Sequence, residues 1–167
     1  MGYMKICLFP NDQPLSLQVA KELRKKLENA DEILTDKFPD LVISIGGDGT
    51  FLSAVHQFAN QLSTIRFVGV HTGHLGFYSD WLVNEIDLLV DKIKQDHGQA
   101  THYPLMEAKV HYLDGQITDI LAVNEIILDR ITNSLSVDVY VDDLLFEKFR
   151  GDGLCISTPT GSSGYNK

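Results

Sequence analysis

The segment LVISIGGDGTFLSAV, residues 41–55, passes from an apolar run through three glycines and one aspartate into a second apolar stretch. The run at residues 41–45 is apolar enough to form a strand that is buried on both faces. Beyond the glycines, Phe51, Leu52 and Val55 repeat at helical spacing. A buried strand that ends in glycines and leads into a helix predicts a parallel sheet, with an anion-binding site at the helix N-terminus.

The same alternation of strand and helix extends to both sides of this segment. Residues 4–9 form a short apolar run, and apolar residues at helical spacing follow from Leu15 onward. Residues 67–70 form another run, and a further helical pattern covers residues 86–93. These patterns predict an α/β domain over residues 1–100, with a parallel sheet, flanking helices and ligands beyond the carboxyl ends of the strands.

The pattern changes near residue 100. From Tyr103 onward the apolar runs are strand-like, and Asp-Gly, Asn-Ser, Asp-Asp and Gly-Asp-Gly turn signals separate them. This predicts the start of an antiparallel all-β domain over residues 101–167. The last residues, SSGYNK, add no strand to cover the preceding ones, so we expect a C-terminally truncated part of a longer protein.

Charge and composition limit the kinds of partner. The chain has 14 basic and 23 acidic residues and a formal charge of −9, which opposes broad binding to nucleic acid or to an anionic membrane. Its sequence contains neither a signal-peptide pattern nor an apolar run long enough for a membrane span. Cys7 and Cys155 lie in apolar runs and are expected to be core thiols of a reduced, cytoplasmic protein.

The glycine loop carries one carboxylate, Asp48. Main-chain N–H groups at Gly46, Gly47, Gly49 and Thr50 are the candidate phosphate contacts, because glycine lets phosphate approach the backbone closely. A carboxylate there would repel phosphate unless it held a metal ion or accepted a hydroxyl proton. Both roles belong to phosphoryl transfer. The alternative is that Asp48 only caps the helix, and these five residues do not decide between the two.

Two polar residues, Asn124 and Glu125, interrupt the strand-like run ILAVNEIILD. Adjacent residues of a strand point to opposite faces, so at least one of the two should meet a buried or cleft environment and need a partner. An amide and a carboxylate suit the two hydroxyls of a ribose. A β-bulge or an edge position with satisfied side chains is the alternative.

Two further segments contain candidate site residues. The segment FRGDGLCISTPTGSSGYNK, residues 149–167, is explained by turn chemistry alone or by a nucleotide site to which Arg150 and Lys167 supply positive charge. In HTGH, His71 and His74 lack a nearby carboxylate or cysteine that would complete a metal site, so the metal ligands stay unknown. We expect this loop instead to present Leu75, Phe77 and Tyr78 to a base.

Four segments together resemble the NAD kinase family, over essentially the whole chain: GGDGT at 46–50, HTGHLGFY at 71–78, VNEI at 123–126 and GDGLCISTPTGSSGY at 151–165. GGDGT alone is weak evidence, because it is shared with diacylglycerol and sphingosine kinases and, with a final Ser, with phosphofructokinases. The order and separation of all four segments are specific.

The resemblance implies ATP-dependent phosphorylation of the 2′-hydroxyl of the adenosine ribose of NAD, giving NADP, with a divalent metal ion such as Mg²⁺. It implies that Asp48 accepts the hydroxyl proton, that Asn124 and Glu125 bind a ribose diol, and that the protein is a homodimer or homotetramer. The substrate-binding residues it implies are Asp48, Gly49, Phe77, Tyr78, Asn124, Glu125, Arg150, Asp152, Ser163, Gly164, Tyr165, Asn166 and Lys167.

The chain departs from the family pattern in two respects. Ser163 and Gly164 replace the usual Thr-Ala, which makes the loop more flexible. The family's β domain also continues for roughly another hundred residues, as a domain of normal size requires. Two alternatives therefore stay open: a lipid kinase with the same GGDGT loop, and a non-catalytic fragment that binds NAD or NADP.

Overall fold

A computed structural model describes residues 3–30, 32–73 and 76–162, and the chain divides into two compact units, Met1–Thr101 and His102–Lys167. The first unit contains a five-stranded parallel sheet with the order β2-β1-β3-β4-β5. Its elements are β1 (Lys5–Pro10), α1 (Pro14–Glu28), β2 (Ile33–Leu34), β3 (Leu41–Gly46), α2 (Asp48–Gln57), β4 (Arg66–His71), β5 (Trp81–Leu82) and α3 (Ile86–Lys94), with 3₁₀ turns at Ala59–Gln61 and Val83–Glu85.

The central strand β3 explains how the sheet is covered. Every residue of β3 is buried, as its apolar run predicts. On one face Ile43 and Ile45 belong to a core that includes residues of α1 and α3. On the other face Val42 packs in a second core with Ala54 of α2 and with Phe58. The alternation of side chains along the strand thus places helices on both faces, and the predicted α/β fold is confirmed.

The strand order fixes where a ligand would bind. From β1 the chain moves outward to β2, and from β3 it moves outward in the opposite direction to β4. The order therefore reverses between β1 and β3, and a crevice opens beyond the carboxyl ends of these two strands. The loops that leave them begin at Asn11 and Gly47. They are linked at their start, since the Asn11 N–H donates to the Ile45 carbonyl at 3.1 Å.

The second unit consists of antiparallel strand pairs, as the sequence predicts. The pairs are β6–β7, β8–β11 and β9–β10. At the β9–β10 turn, Asp142 and Asp143 have φ of 49° and 62°, values that suit a two-residue hairpin of this twist. The strands are β6 (Met106–His111), β7 (Ile117–Ala122), β8 (Glu125–Asp129), β9 (Leu135–Val141), β10 (Leu144–Gly151) and β11 (Gly153–Ser157).

Two details differ from the sequence-based expectations. The run over residues 116–129 forms two strands, with a break at Val123 and Asn124, so Asn124 lies between strands. Cys7 is buried as expected, but Cys155 is only half-buried, because β11 has a single strand neighbour. No helix in the described parts of the chain has the length and apolar character needed to cross a membrane.

Candidate active site

The glycine loop joins the buried end of β3 to the start of α2. Gly47 is the N-cap residue, and its carbonyl accepts hydrogen bonds from the N–H groups of Thr50 and Phe51 at 2.9 and 3.2 Å. The N–H groups of Asp48 and Gly49 precede the first of these bonds and have no intrahelical acceptor, and the helix dipole adds partial positive charge at the same point. The loop is therefore built to receive an anionic oxygen.

Thr50 connects the glycine loop to the loop that follows β1. Its hydroxyl accepts a hydrogen bond from Asn11 Nδ2 at 3.3 Å. A Cβ at Gly46 would lie 2.7 Å from Asn11 Nδ2 and would collide with the Thr50 hydroxyl. Glycine at position 46 is thus needed for this close approach, which the sequence alone did not reveal.

Asp48 does not cap its helix. It is the first residue of α2, after the N-cap Gly47, and its carboxylate is bound by the main chain of another segment. Oδ2 accepts from the N–H of Phe77 at 2.8 Å, and Oδ1 accepts from the N–H of Tyr78 at 2.9 Å. The capping alternative is therefore wrong. Each carboxylate oxygen still has a second lone pair for a hydroxyl or a cation.

The two aromatic residues beside Asp48 differ in exposure. Tyr78 is buried and stacks on Phe51, with ring centroids 5.0 Å apart and an interplanar angle of 6°. Phe77 is 59% exposed and meets Tyr78 edge to face. Phe77 therefore has a face open for stacking on a base, whereas Phe51 already covers one face of Tyr78. Leu75, the third residue expected to face a base, lies outside the described residues.

A cleft of about 450 Å³ lies beyond the carboxyl ends of β1 and β3, at the point where the strand order reverses. One wall is fixed by a hydrogen bond of 2.8 Å between the hydroxyls of Ser16, which is fully buried in α1, and Thr72, which follows β4. Of the residues that line the cleft, only Gly47 was predicted as a site residue, although its position after β1 could also have identified Asn11. The lining residues are Asn11, Gln13, Pro14, Leu15, Gly47, Thr72 and Gly73.

The metal expectation has no direct support from side-chain clusters. Within residues 3–30, 32–73 and 76–162, no group of three or more His, Cys, Asp or Glu side chains could hold a metal ion. His71 is buried, its Nδ1 lies 3.3 Å from the Gly73 carbonyl oxygen, and its Nε2 finds no partner among the described residues. His74 is outside the described residues. This donor set fits only a cation held mainly by its substrate's phosphates.

The second unit brings two of the predicted segments together. Because β8 pairs with β11, Glu125 lies opposite Ser157, and the loop after β11 folds back onto the break before β8. Thr158 joins this loop to the break through two hydrogen bonds. Its N–H donates to the Asn124 carbonyl at 2.7 Å, and its hydroxyl donates to the Val123 carbonyl at 2.6 Å. Thr158 was not identified from the sequence, where it read as a turn residue.

Glu125 has the clearest signature of a binding residue in this unit. Its Oε2 is buried and has no hydrogen-bond partner among the described residues. A buried polar oxygen without a partner is costly, so it is a candidate contact for a ligand hydroxyl. Asn124 is half-buried. The expectation that one of the pair meets a buried environment is fulfilled by Glu125.

Arg150 and Asp152 have protein partners in this unit. Arg150 Nε donates to the Ser134 hydroxyl at 3.0 Å. Asp152 pairs with Arg130 at 3.1 Å, a second cation that sequence reasoning missed. Both pairs are exposed, so they position these side chains without contributing much to stability. The remaining predicted residues, Ser163, Gly164, Tyr165, Asn166 and Lys167, lie outside the described residues.

A glycine turn at a helix N-terminus, beside a cleft where the strand order reverses, defines the class of α/β proteins that bind phosphorylated ligands. Family models narrow this class: the ATP-NAD kinase N-terminal domain matches residues 10–98, and the ATP-NAD kinase C-terminal domain matches residues 123–166. The chain belongs to the NAD kinase family. The resemblance inferred from the four sequence segments is thereby confirmed.

Individual relatives agree with this assignment. The NAD kinase of Limosilactobacillus reuteri is 51% identical over 164 residues, which are 98% of this chain and 61% of that protein. The NAD kinase of Lactobacillus helveticus is 48% identical with the same coverage. The solved structure of yeast NADH kinase complexed with NADH has the same fold, with a TM-score of 0.89 at 19% identity, over 99% of this chain and 60% of that one. The chain thus spans about 61% of the length of these curated relatives.

Proposed function

We propose that this chain transfers the γ-phosphate of ATP to the 2′-hydroxyl of the adenosine ribose of NAD, giving NADP. The observation that carries the proposal is the Asp48 carboxylate, which two main-chain N–H groups hold beside the N-terminus of α2. The family match to both halves of the chain supports the choice of substrates. It leaves the lipid-kinase alternative without support.

Asp48 is the proposed proton acceptor. With Phe77 and Tyr78 each donating to one carboxylate oxygen, the remaining lone pairs are the ones that can meet a hydroxyl. As the ribose oxygen bonds to the γ-phosphorus of ATP, the bond from that phosphorus to the bridging oxygen breaks and ADP leaves, while the hydroxyl proton passes to this carboxylate. Little other covalent chemistry is required, because phosphoryl transfer is catalysed mostly by positioning and charge neutralisation.

The phosphates are proposed to lie at the N-terminus of α2 and in the adjoining cleft. Gly46, Gly47, Gly49 and Thr50 are the candidate phosphate contacts, with the Thr50 N–H shared between phosphate and the Gly47 carbonyl to which it already donates. A divalent cation, with Mg²⁺ as the first choice, would supply charge neutralisation while held mainly by phosphate oxygens. The −9 charge of the chain makes such neutralisation necessary.

The second unit is proposed to supply contacts to NAD, as the second of two domains that correspond to the compact units. Glu125 Oε2 and the Asn124 amide would bind a ribose diol. Phe77 and Tyr78, from the first unit, would border the adenine. The remaining proposed NAD contacts are Gly49, Arg150, Asp152, Ser163, Gly164, Tyr165, Asn166 and Lys167. A cytoplasmic homodimer or homotetramer stays part of the proposal.

The test measures NADP formation by the 167-residue chain with NAD, ATP and Mg²⁺. Asp48→Asn should lower the rate by about 10² to 10⁴-fold, the usual contribution of a positioned base, while calorimetry still detects NAD binding. Asp91→Asn, on the exposed side of α3, is the matched control and should keep the wild-type rate. Equal rates for wild type and Asp48→Asn would contradict the assigned role.

A second arm separates the function from the length of the chain. Residues 1–167 are joined to the remaining C-terminal part of the L. reuteri relative, whose matched region is 51% identical. NADP from the chimera but not from the shorter chain would keep the site and show that further residues are required. Saturable NAD binding without product in either protein, unchanged by Asp48→Asn, would favour the non-catalytic alternative. Diacylglycerol vesicles in place of NAD should accept no phosphate.

A further inference from the structure

The residue just before the two N–H groups that bind Asp48 is Gly76. A Cβ built on Gly76 would lie 2.9 Å from Asp48 Cγ and 3.2 Å from Oδ2, and it would collide with Oδ1. All three of the nearest atoms that this Cβ would meet belong to the Asp48 carboxyl group. Glycine at position 76 therefore leaves space for one group of the proposed active site, the Asp48 carboxylate.

The segment that contains Gly76 is also held by contacts that do not involve Asp48. The Asp80 N–H donates to the Gly69 carbonyl of β4 at 3.1 Å, and the Tyr78 ring stacks on Phe51. A Cβ at Gly69 would lie 2.9 Å from Ser79 Cα, so the segment already lies against β4 as closely as a glycine allows. Because these contacts hold the segment against β4 and Phe51, we expect a side chain at position 76 to displace the Asp48 carboxylate.

We propose that Gly76 is a positioning residue for the phosphoryl transfer, because its missing side chain sets the direction of the Asp48 carboxylate. The inference rests on the proposed function and deepens it. Two backbone N–H groups orient the carboxylate, and it lies where a Cβ at position 76 would be. A proton acceptor that has moved by about 1 Å loses on the order of 100-fold in rate.

The contact is tested first by stability, which does not depend on turnover. Urea midpoints are measured for wild type, Gly76→Ala, Asp48→Ala and the double variant. Gly76→Ala should lower the midpoint in the wild-type background and leave it almost unchanged in the Asp48→Ala background, where the colliding carboxyl group is gone. Gly73→Ala is the control, since a Cβ there meets no described atom within 4 Å. Additive midpoint shifts would overturn the proposed contact.

The positioning role is tested by kinetics in the same four proteins, made both as the 167-residue chain and as the chimera described above. Gly76→Ala should lower kcat about 100-fold with little change in KM for NAD. The double variant should be no slower than Asp48→Ala, because both substitutions act on one carboxylate. A wild-type kcat for Gly76→Ala, or a rise in KM alone, would overturn the inference. Absence of NADP from every protein, chimera included, would instead overturn the proposed function, and the midpoints would still report on the contact.

Discussion

Two isoleucines in strands show how differently the two units are built. Ile43, in the central strand of the first unit, is fully buried between helices, whereas Ile156, in β11 of the second unit, is 52% exposed. Among the described residues, the only buried apolar side chains of the second unit are Ala122 and Val123. The first unit therefore has a core of its own, whereas the described residues of the second unit form strand pairs without a comparable core.

The proposed site residues of the two units are therefore supported differently. The glycine loop and Asp48 belong to a unit whose core fixes both β3 and α2. In the second unit, the Thr158 N–H donates to the Asn124 carbonyl, and Glu125 begins β8, which pairs with β11. We therefore expect the chemistry to depend on a rigid scaffold, and the contacts to NAD to depend on local bonds that single substitutions can break.

The largest expected effect comes from truncating the two isoleucines in turn. Ile43→Ala should lower the free energy of unfolding by about 2 to 5 kcal/mol, because it leaves a cavity in a closed core. Ile156→Ala, the same chemical change at an exposed position, should cost less than about 0.5 kcal/mol. Urea denaturation followed by circular dichroism measures both. Similar losses would contradict the contrast between the units and would show that Ile156 is covered in solution.

The next largest effect is expected in the loop that follows β11 in the second unit. A Cβ at Gly161 would lie 2.8 Å from Asn124 Cα and would collide with the Asn124 carbonyl. Gly161→Ala should therefore lower the free energy of unfolding by about 1 to 3 kcal/mol. If the loop moves away instead, the free energy of opening the loop should fall by a similar amount. Hydrogen exchange at the Thr158 N–H, which donates to that carbonyl, should become faster, and NAD should bind more weakly. The control is Ser162→Ala, at an exposed neighbour; equal exchange rates in all three proteins would contradict the prediction.

The elements that could be predicted are those with a strong local signal. The apolar run of β3 and its glycine break identify both the strand and the start of α2, and the spacing from Ile86 identifies α3. The two-residue strands β2 and β5 carry no such signal and depend on pairing with their neighbours. The break at Val123 and Asn124 was missed because apolar residues continue on both sides of it.

The sequence indicates candidate residues for the site, but it does not indicate the contacts that they make. Asp48 is the single charged residue of the GGDGT loop and is therefore easy to identify from the sequence. Its hydrogen-bond partners, however, follow 29 and 30 residues later in the chain. Nothing in the spacing indicates that pairing, which arises from the packing of the segment 76–80 against β4. Arg130 and Thr158 were missed for the same reason, since each gains its role through strand pairing.

The two cysteines offer the smallest test of the contrast. Burial raises the pKa of the Cys7 thiol from 9.0 to about 11, and the nearby Asp36 carboxylate adds to the rise. Below pH 9 the thiol is protonated in both folded and unfolded chains. Between about 9 and 11 the unfolded chain loses this proton while the folded one keeps it, so stability falls as the pH rises through that window.

We expect Cys7 to lower the free energy of unfolding by about 1 to 2 kcal/mol across this pH window. This is less than the difference between the two pKa values would give, because the Asp36 carboxylate is exposed and solvent screens it. The measurement compares urea denaturation of Cys155→Ala with that of Cys7→Ala/Cys155→Ala at pH values of about 8 and 10.5. The Cys155→Ala substitution leaves Cys7 as the only thiol of the chain, so that a change with pH between the two proteins reports on Cys7. A stability difference between the two proteins that stays constant with pH would mean that water reaches Cys7, and that the core of the first unit is less closed than its packing indicates.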